Sequence, residues 1–286
     1  MAFFGSATLG LGRPALALSP DGHSLVYTAQ ENGGTVLHLR QLNQYESRSI
    51  PGTEGAYNPF FSPDGEWVGF FASGQLKKVR VLGGEPVVVC EVSNPMGADW
   101  GPNDQIVFSD EEGVVLMVVP ASGGPPVSLG AGREWPDILP GGEVVLAASR
   151  HGGISALSLK TGRKKPLVEG GYPRYASTGH LIYAQSHRGQ LMAARFDPDR
   201  LELMDNPVPV LRNVRVEASR HVAQYALSTN GTLAYVAGSY VGKSELVWVD
   251  RKGNEEALSV EAIVYGSFDL SPQIDLLAVQ IHGAEW

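Results

Sequence analysis

Cysteine is nearly absent. Cys90 stands alone in 286 residues, so no internal disulfide can form and cysteine usage gives no sign of the redox compartment. Charge is sparse as well, at 18% of residues, and the balance is acidic, with a net charge of −8. Without a basic excess, nucleic acid and anionic membrane surfaces are excluded as default partners. Long apolar runs are missing: stretches such as "GVVLMVVP" at 113–120 fall far short of the roughly 18 residues that a membrane helix needs. The start, "MAFFGSATLG", has no basic segment and too short an apolar stretch for a secretory signal. The chain therefore reads as soluble, without direct membrane insertion and without a targeting label, and its compartment stays undetermined. Metal-binding pairs are lacking too. The seven histidines form no H-x-x-x-H or H-E-x-x-H, so a metal site would need convergence in space. No G-x-S-x-G elbow marks a serine hydrolase.

What the chain has instead is turns and repetition. Its 35 glycines and 19 prolines are spread along the whole length, which argues for many turns and not for a disordered tail. The tetrapeptide "SPDG" occurs at 19–22 and again at 62–65. Pro presets φ at the second position, Asp bonds its own backbone and Gly takes the crowded last position, so each copy reads as a tight turn. Worn copies follow: "GPND" from Gly101, "LPGG" from Leu139, "STGH" from Ser177, "STNG" from Ser228 and "SPQI" from Ser271. They recur every 38 to 51 residues. The residue before each turn is apolar throughout: Leu18, Phe61, Trp100, Ile138, Ala176, Leu227 and Leu270. Two positions earlier stand Leu16, Pro59, Ala98, Pro136, Arg174, Tyr225 and Phe268, while Asp99, Asp137 and Asp269 lie between. This period of two predicts a strand with one packed face and one face that tolerates polar groups.

Each of the first six turns is followed by three more short apolar segments, for example "WVGFFA", "QLKKVRVL" and "PVVVCE" after Ser62. Their β-branched and aromatic content fits strands, and no stretch keeps a helical period. Four strands joined by tight hairpins, repeated about every 42 residues, are the signature of a propeller blade. One such sheet has two apolar faces; stacking blades radially buries them. The expected fold is thus all-β: a β-propeller of four-stranded antiparallel blades in a single domain, 1–286. Blades are expected to begin near 14, 57, 96, 134, 172, 222 and 265, giving six complete blades and the first hairpin of a seventh. The position before the turn is expected to lie between blades. The broken seventh unit predicts a fragment of a longer protein, with "AFFGSATLG" completing the ring as the alternative. It also predicts self-association through Leu276, Leu277, Val279 and Ile281.

The stretches "ALSPDGHSLVY", "FFSPDGEWVGFF", "LSTNGTLAYV" and "LVWVDRKGNEEAL" resemble TolB-type, WD-like propeller repeats. More narrowly, "IPGTEGAYNPFFSPDGEWVGFF" and "LKTGRKKPLVEGGYPRYASTGHLIYA" are similar to the propeller region that follows the kinase domain and membrane helix in bacterial serine/threonine kinases. The resemblance covers essentially the whole chain. It implies a non-catalytic binding or sensing module, extracytoplasmic if it is part of a membrane-anchored kinase. The kinase's own motifs are not here: no glycine-rich loop with a lysine strand, no H-R-D and no D-F-G. The alternative from another class is the gating propeller of a prolyl-oligopeptidase-like hydrolase whose catalytic domain is absent.

Two stretches imitate chemistry. "AGSYVGKS" at 237–244 fits a relaxed phosphate loop, but "ELVWVD" follows directly and alternates like a strand, leaving no helix N-terminus for phosphate. Asp197, Asp199 and Asp205 lack the spacing of a calcium loop and read as a solvated turn. Neither a cofactor nor a metal is expected. If a ligand binds, whether a protein or a small molecule, the expected place is the channel mouth where loops lead into the innermost strands. Those loops carry Tyr57, Asn58, Arg133, Glu134, Trp135, Tyr172, Arg174, Arg220 and His221, rich in the aromatic and arginine side chains that dominate binding sites. The competing role for the aromatics is simply to plug the channel.

Overall fold

The computed structural model describes residues 13–31, 33–110, 115–131, 134–149, 152–185, 189–217 and 222–238, together with the backbone of strands at 243–244, 247–249, 255–257, 263–270 and 277–281. Every regular element among them is a strand. The first blade is β1 (Leu16–Leu18), β2 (Ser24–Glu31), β3 (Gly34–Gln41) and β4 (Ser47–Ser49), each antiparallel to the next. The second is β5 (Tyr57–Phe61), β6 (Trp67–Ala72), β7 (Gln75–Arg80) and β8 (Val87–Glu91). The third is β9 (Gly97–Trp100), β10 (Gln105–Asp110), β11 (Val115–Pro120) and β12 (Val127–Ala131). The fourth is β13 (Glu134–Ile138), β14 (Val144–Ala148), β15 (Gly153–Ser158) and β16 (Lys164–Glu169). In the fifth, β17 (Gly171–Ala176) and β18 (His180–Gln185) lead to β19 (Gln190–Asp197), which pairs both with β20 (Glu202–Leu203) and with β21 (Val208–Arg212).

Smaller sheets follow. β22 (Val216–Glu217) pairs β23 (Val222–Ala223), and β24 (Tyr225–Leu227) pairs β25 (Leu233–Tyr235). Further on, β26 (Lys243–Ser244), β29 (Ile263–Leu270) and β30 (Leu277–Ile281) form one sheet, with β27 (Val247–Val249) and β28 (Glu255–Ala257) in another. The four-stranded blade is therefore seen five times, in a propeller arrangement. The expectations for Leu276, Leu277, Val279 and Ile281 concern side chains outside the described residues.

The blades stack through alternating faces, as a period of two requires. On β6, Val68, Phe70 and Ala72 pack with Val26, Leu37 and Ile50 of the first blade, whereas Phe71 packs with Trp100, Ile106 and Phe108 of the third. Phe70, Phe71 and Phe108 are fully buried, each contributing about 2–3 kcal/mol. Phe61 sits in the cluster shared by the first two blades and Trp100 in that shared by the second and third. The residue before the turn is interblade at both positions.

The turns show why their composition recurs. Ser62 Oγ–H donates to Asp64 Oδ1 at 2.5 Å, and Ser62 Oγ accepts the Trp67 N–H at 2.9 Å. Asp64 Oδ1 also accepts the Glu66 N–H, and Gly65 N–H closes the turn onto Ser62 O. Gly65 has a φ of 73°, which a side chain disfavours. Ser19, Asp21 and Gly22 repeat these bonds, and Ser228 with Asn230 makes a close variant. One alignment is corrected. In the fifth blade Gly179 N–H bonds Ala176 O, so the turn is "ASTG" from Ala176 and the residue before it is Tyr175, not Ala176. The misalignment came from matching the serines, when the glycine with positive φ is what fixes the turn.

Candidate functional site

The innermost strands touch in succession, β1 to β5, β5 to β9, β9 to β13 and β13 to β17. β17 then meets β23, and β24 returns to β1. The return is made by Gln224, whose buried carboxamide Oε1 accepts the Ala15 N–H at 2.9 Å while its Nε2 donates to Arg13 O at 2.8 Å. Leu16, Leu18 and Leu25 pack there against Ala226 and Ala234. These strands surround a cavity of about 330 Å³.

Three of the innermost strands share an irregularity that shapes this cavity. Asn58, Trp135 and Tyr172 each precede a proline and have φ of 54°, 57° and 51°. At each the pairing with the next strand slips. Proline has no N–H to lose from the ladder, so a bulge there is inexpensive. The bulge turns the preceding side chain out of the normal alternation. Trp135 then packs over Gly97 of the neighbouring blade, where an added Cβ would lie 2.8 Å from the indole Cε3. Trp135, Tyr172 and Tyr225 stack edge to face, with ring centroids 6.0 and 5.3 Å apart in succession. Tyr225 donates its O–H to Tyr172 O at 2.7 Å.

With the fifth turn realigned, Ala17, Phe60, Asp99, Asp137, Arg174 and Ala226 occupy one column, the position preceding the residue before the turn. The column carries charged side chains that tie one blade to the next. Asp99 Oδ2 accepts the Ile138 N–H at 2.7 Å, and one blade on, Asp137 Oδ2 accepts the Tyr175 N–H at 2.7 Å. Arg174 holds the next place. Its Nε lies 3.7 Å from Asp137 Oδ1, its guanidinium sits 4.1 Å from the Tyr172 ring centroid and its Nη1 donates to Pro173 O at 2.8 Å. Burial outweighs the attraction of Arg174 and holds both carboxyls above the usual range, Asp137 being pushed up to about 7. Burial also raises the Tyr172 and Tyr225 phenols.

Of the residues expected at the channel, Asn58, Tyr172 and Arg174 line the cavity. Glu134 and Trp135 are buried, and Trp135 belongs to the core shared by the fourth and fifth blades. Tyr57 lies under Arg13, 4.0 Å from guanidinium carbon to ring centroid. Arg133, Arg220 and His221 lie outside the described residues. The cavity also extends to the opposite end of the innermost strands, reaching the second residue of the turns at Pro20, Pro63, Pro102 and Pro140. Asp99 and Asp137, which sequence reasoning treated as polar-tolerant strand positions, were thus missed. Correct alignment of the fifth turn would have shown two acids and an arginine in successive places. As for the imitations, Lys243–Ser244 is a strand paired with β29, and Asp197 and Asp205 bond the chain around them.

No family model matches the chain, and no curated protein sequence matches it significantly. Solved structures share the fold. A putative TolB from Agrobacterium tumefaciens is 14% identical with a TM-score of 0.61, over 78% of this chain and 90% of that one. TolB from Acinetobacter baumannii is 17% identical with a TM-score of 0.56, over 69% of this chain and 54% of that one. A chain from a nidogen/laminin complex is 16% identical with a TM-score of 0.53, over 66% of this chain and 77% of that one. The fold is a TolB-like β-propeller. Among the described residues no helix is long and apolar enough to cross a membrane.

Proposed function

We propose that the chain is a non-catalytic binding propeller that engages a protein or small-molecule ligand through its central channel and the ring of turns around it. The observation that carries this reading is the cavity of about 330 Å³, polar where the blades meet and bordered by turn prolines. A volume of this order is what ligand pockets use. The protein-partner side is supported by likeness to a chain solved within a nidogen/laminin complex. The finer reading is a sensor region like that of a bacterial serine/threonine kinase, on the sequence resemblance. The contact between β1 and β24 supports a ring of six radial units.

The test is photo-crosslinking in the native host. A crosslinking residue at Asp64, on the turn face, is expected to trap a partner that the same residue at Val208, on the outer rim, does not. Equal trapping from both sites would overturn the assignment of the face. Calorimetry with ATP and magnesium is expected to show no heat; micromolar binding abolished by Lys243→Ala would overturn the non-catalytic reading. The flanking genomic sequence separates the finer readings. A kinase domain and membrane helix encoded upstream in frame supports the sensor, and a downstream hydrolase domain with G-x-S-x-G favours the gating propeller.

A further inference from the structure

Only three of the described residues lining the cavity are charged: Asp99, Asp137 and Arg174. One guanidinium faces two carboxylates, so with both acids ionised the site carries one uncompensated negative charge. The carboxylates are not saturated by the protein. Each has one oxygen bonded to the N–H of the next blade, at 2.7 Å in both cases; Asp99 also meets the Trp100 N–H and Asp137 the Arg174 guanidinium, which still leaves room, since a carboxylate can accept about four hydrogen bonds. A second observation comes from the neighbouring blade. Asn58 lines the same cavity and is 4% exposed, yet its Nδ2 has no hydrogen-bond partner in the structure. A buried donor left in this state costs about 1–3 kcal/mol, a deficit that an incoming acceptor would remove.

We propose that the cavity binds a small organic monocation: a primary ammonium that offsets the carboxylate left over by Arg174, joined to a carbonyl or hydroxyl oxygen that accepts from Asn58. The inference rests on the binding reading above and names the chemistry of that site. Calcium or magnesium fits less well. Either takes six or more oxygen ligands, whereas here two carboxylates share the site with a guanidinium among apolar residues and prolines. Burial holds Asp137 at about 7, so without the cation the site takes up a proton. The groups facing Asp137 are Asp99 on β9 and Arg174 and Tyr172 on β17, with Tyr225 of β24 behind them. Neither phenol titrates near neutrality, because burial raises both. Ligand and proton compete for the same carboxylate.

The test uses Nα-acetyl-lysinamide, which has one primary ammonium and two amide carbonyls, followed by calorimetry on the full chain. With Asp137 at about 7, its ionised fraction rises about tenfold between pH 6 and pH 8, and affinity is expected to rise by about the same factor. At pH 7 binding should release about half a proton, seen as heat that varies with the buffer's ionisation enthalpy. Asp137→Asn is expected to lose at least tenfold in affinity and the pH dependence with it, Asp99→Asn to lose at least tenfold in affinity, and Asn58→Leu to weaken binding at every pH. Circular dichroism and the unfolding midpoint show whether these variants fold. Nα,Nε-diacetyl-lysinamide, which lacks the charge, is expected not to bind. If it binds as well as the cation, the cavity is a ligand site but the charge inference is wrong. If neither compound binds and the turn-face crosslink persists, the inference fails while the binding reading stands. Binding unaffected by pH, or calcium displacing the amine at equal concentration, would also overturn it.

Discussion

Replacing Asp137 with asparagine keeps the shape of the side chain and an oxygen for the Tyr175 N–H, but removes the charge that the channel cannot fully compensate. An ordinary aspartate ionises near 3.8, and burial pushes Asp137 up to about 7. The native state therefore holds a proton that the unfolded chain releases between about pH 4 and pH 7. Because the native state binds more protons in this window, the contribution of Asp137 to stability is full below pH 4 and is lost as pH rises through 7. The pKa difference corresponds to at most about 4 kcal/mol, lost by pH 8. Asp137→Asn should erase that loss. Urea unfolding at intervals from pH 4 to 8, with both proteins analysed at a common slope, measures the difference directly. The variant is expected to gain on the wild type steadily with pH and to be the more stable at pH 8. Comparing differences removes the contribution of Asp21 and Asp64, whose carboxyls are held low, chiefly by the hydroxyls of Ser19 and Ser62, and which weaken the fold only on the acid side. A difference that stays flat with pH, or a variant weaker at pH 8, would refute the argument that desolvation dominates at this carboxyl.

Other perturbations test the packing. Phe61→Ala and Trp100→Ala should each cost about 3–5 kcal/mol in denaturant unfolding, since both fill interblade clusters, whereas Asp64→Ala in its exposed turn should cost about 1 kcal/mol or less. Similar small effects from all three would mean that the strand faces are assigned wrongly. Gln224→Leu breaks two hydrogen bonds and leaves the Ala15 N–H unpaired, which should cost about 2–4 kcal/mol and speed hydrogen exchange at residues 13–18. Unchanged exchange there would show that the contact between β24 and β1 holds without it. Gly97→Val should dislodge Trp135 and change its fluorescence, because the space over Gly97 is filled by the indole. Burial pushes the Cys90 thiol up to about 11, so alkylation at pH 7.5 should be far slower in the native protein than in urea; fast native alkylation would contradict its burial.

Much of the architecture was legible because it depends on local chemistry repeated along the chain. A serine, a proline, an aspartate and a glycine make the same turn wherever they occur, since the bonds of Ser62 and Asp64 span only five residues. Alternating apolar residues set which faces of β6 are buried, and the pattern alone marked Phe61 and Trp100 as interblade. Where the turn had lost its serine, as at Ala176, letter matching slipped by one residue, because backbone φ and not the hydroxyl defines the position of the glycine. The channel was decided at another level. Asp99, Asp137 and Arg174 are 38 and 37 residues apart, and no local rule joins them. They meet because radial stacking brings the same place of successive blades to one axis. There the loss of water sets their charge state, and no sequence neighbour records that loss. Gln224 tells the same story: an unremarkable glutamine in sequence, it binds the backbone of residues 13–15 only once the chain has gone round.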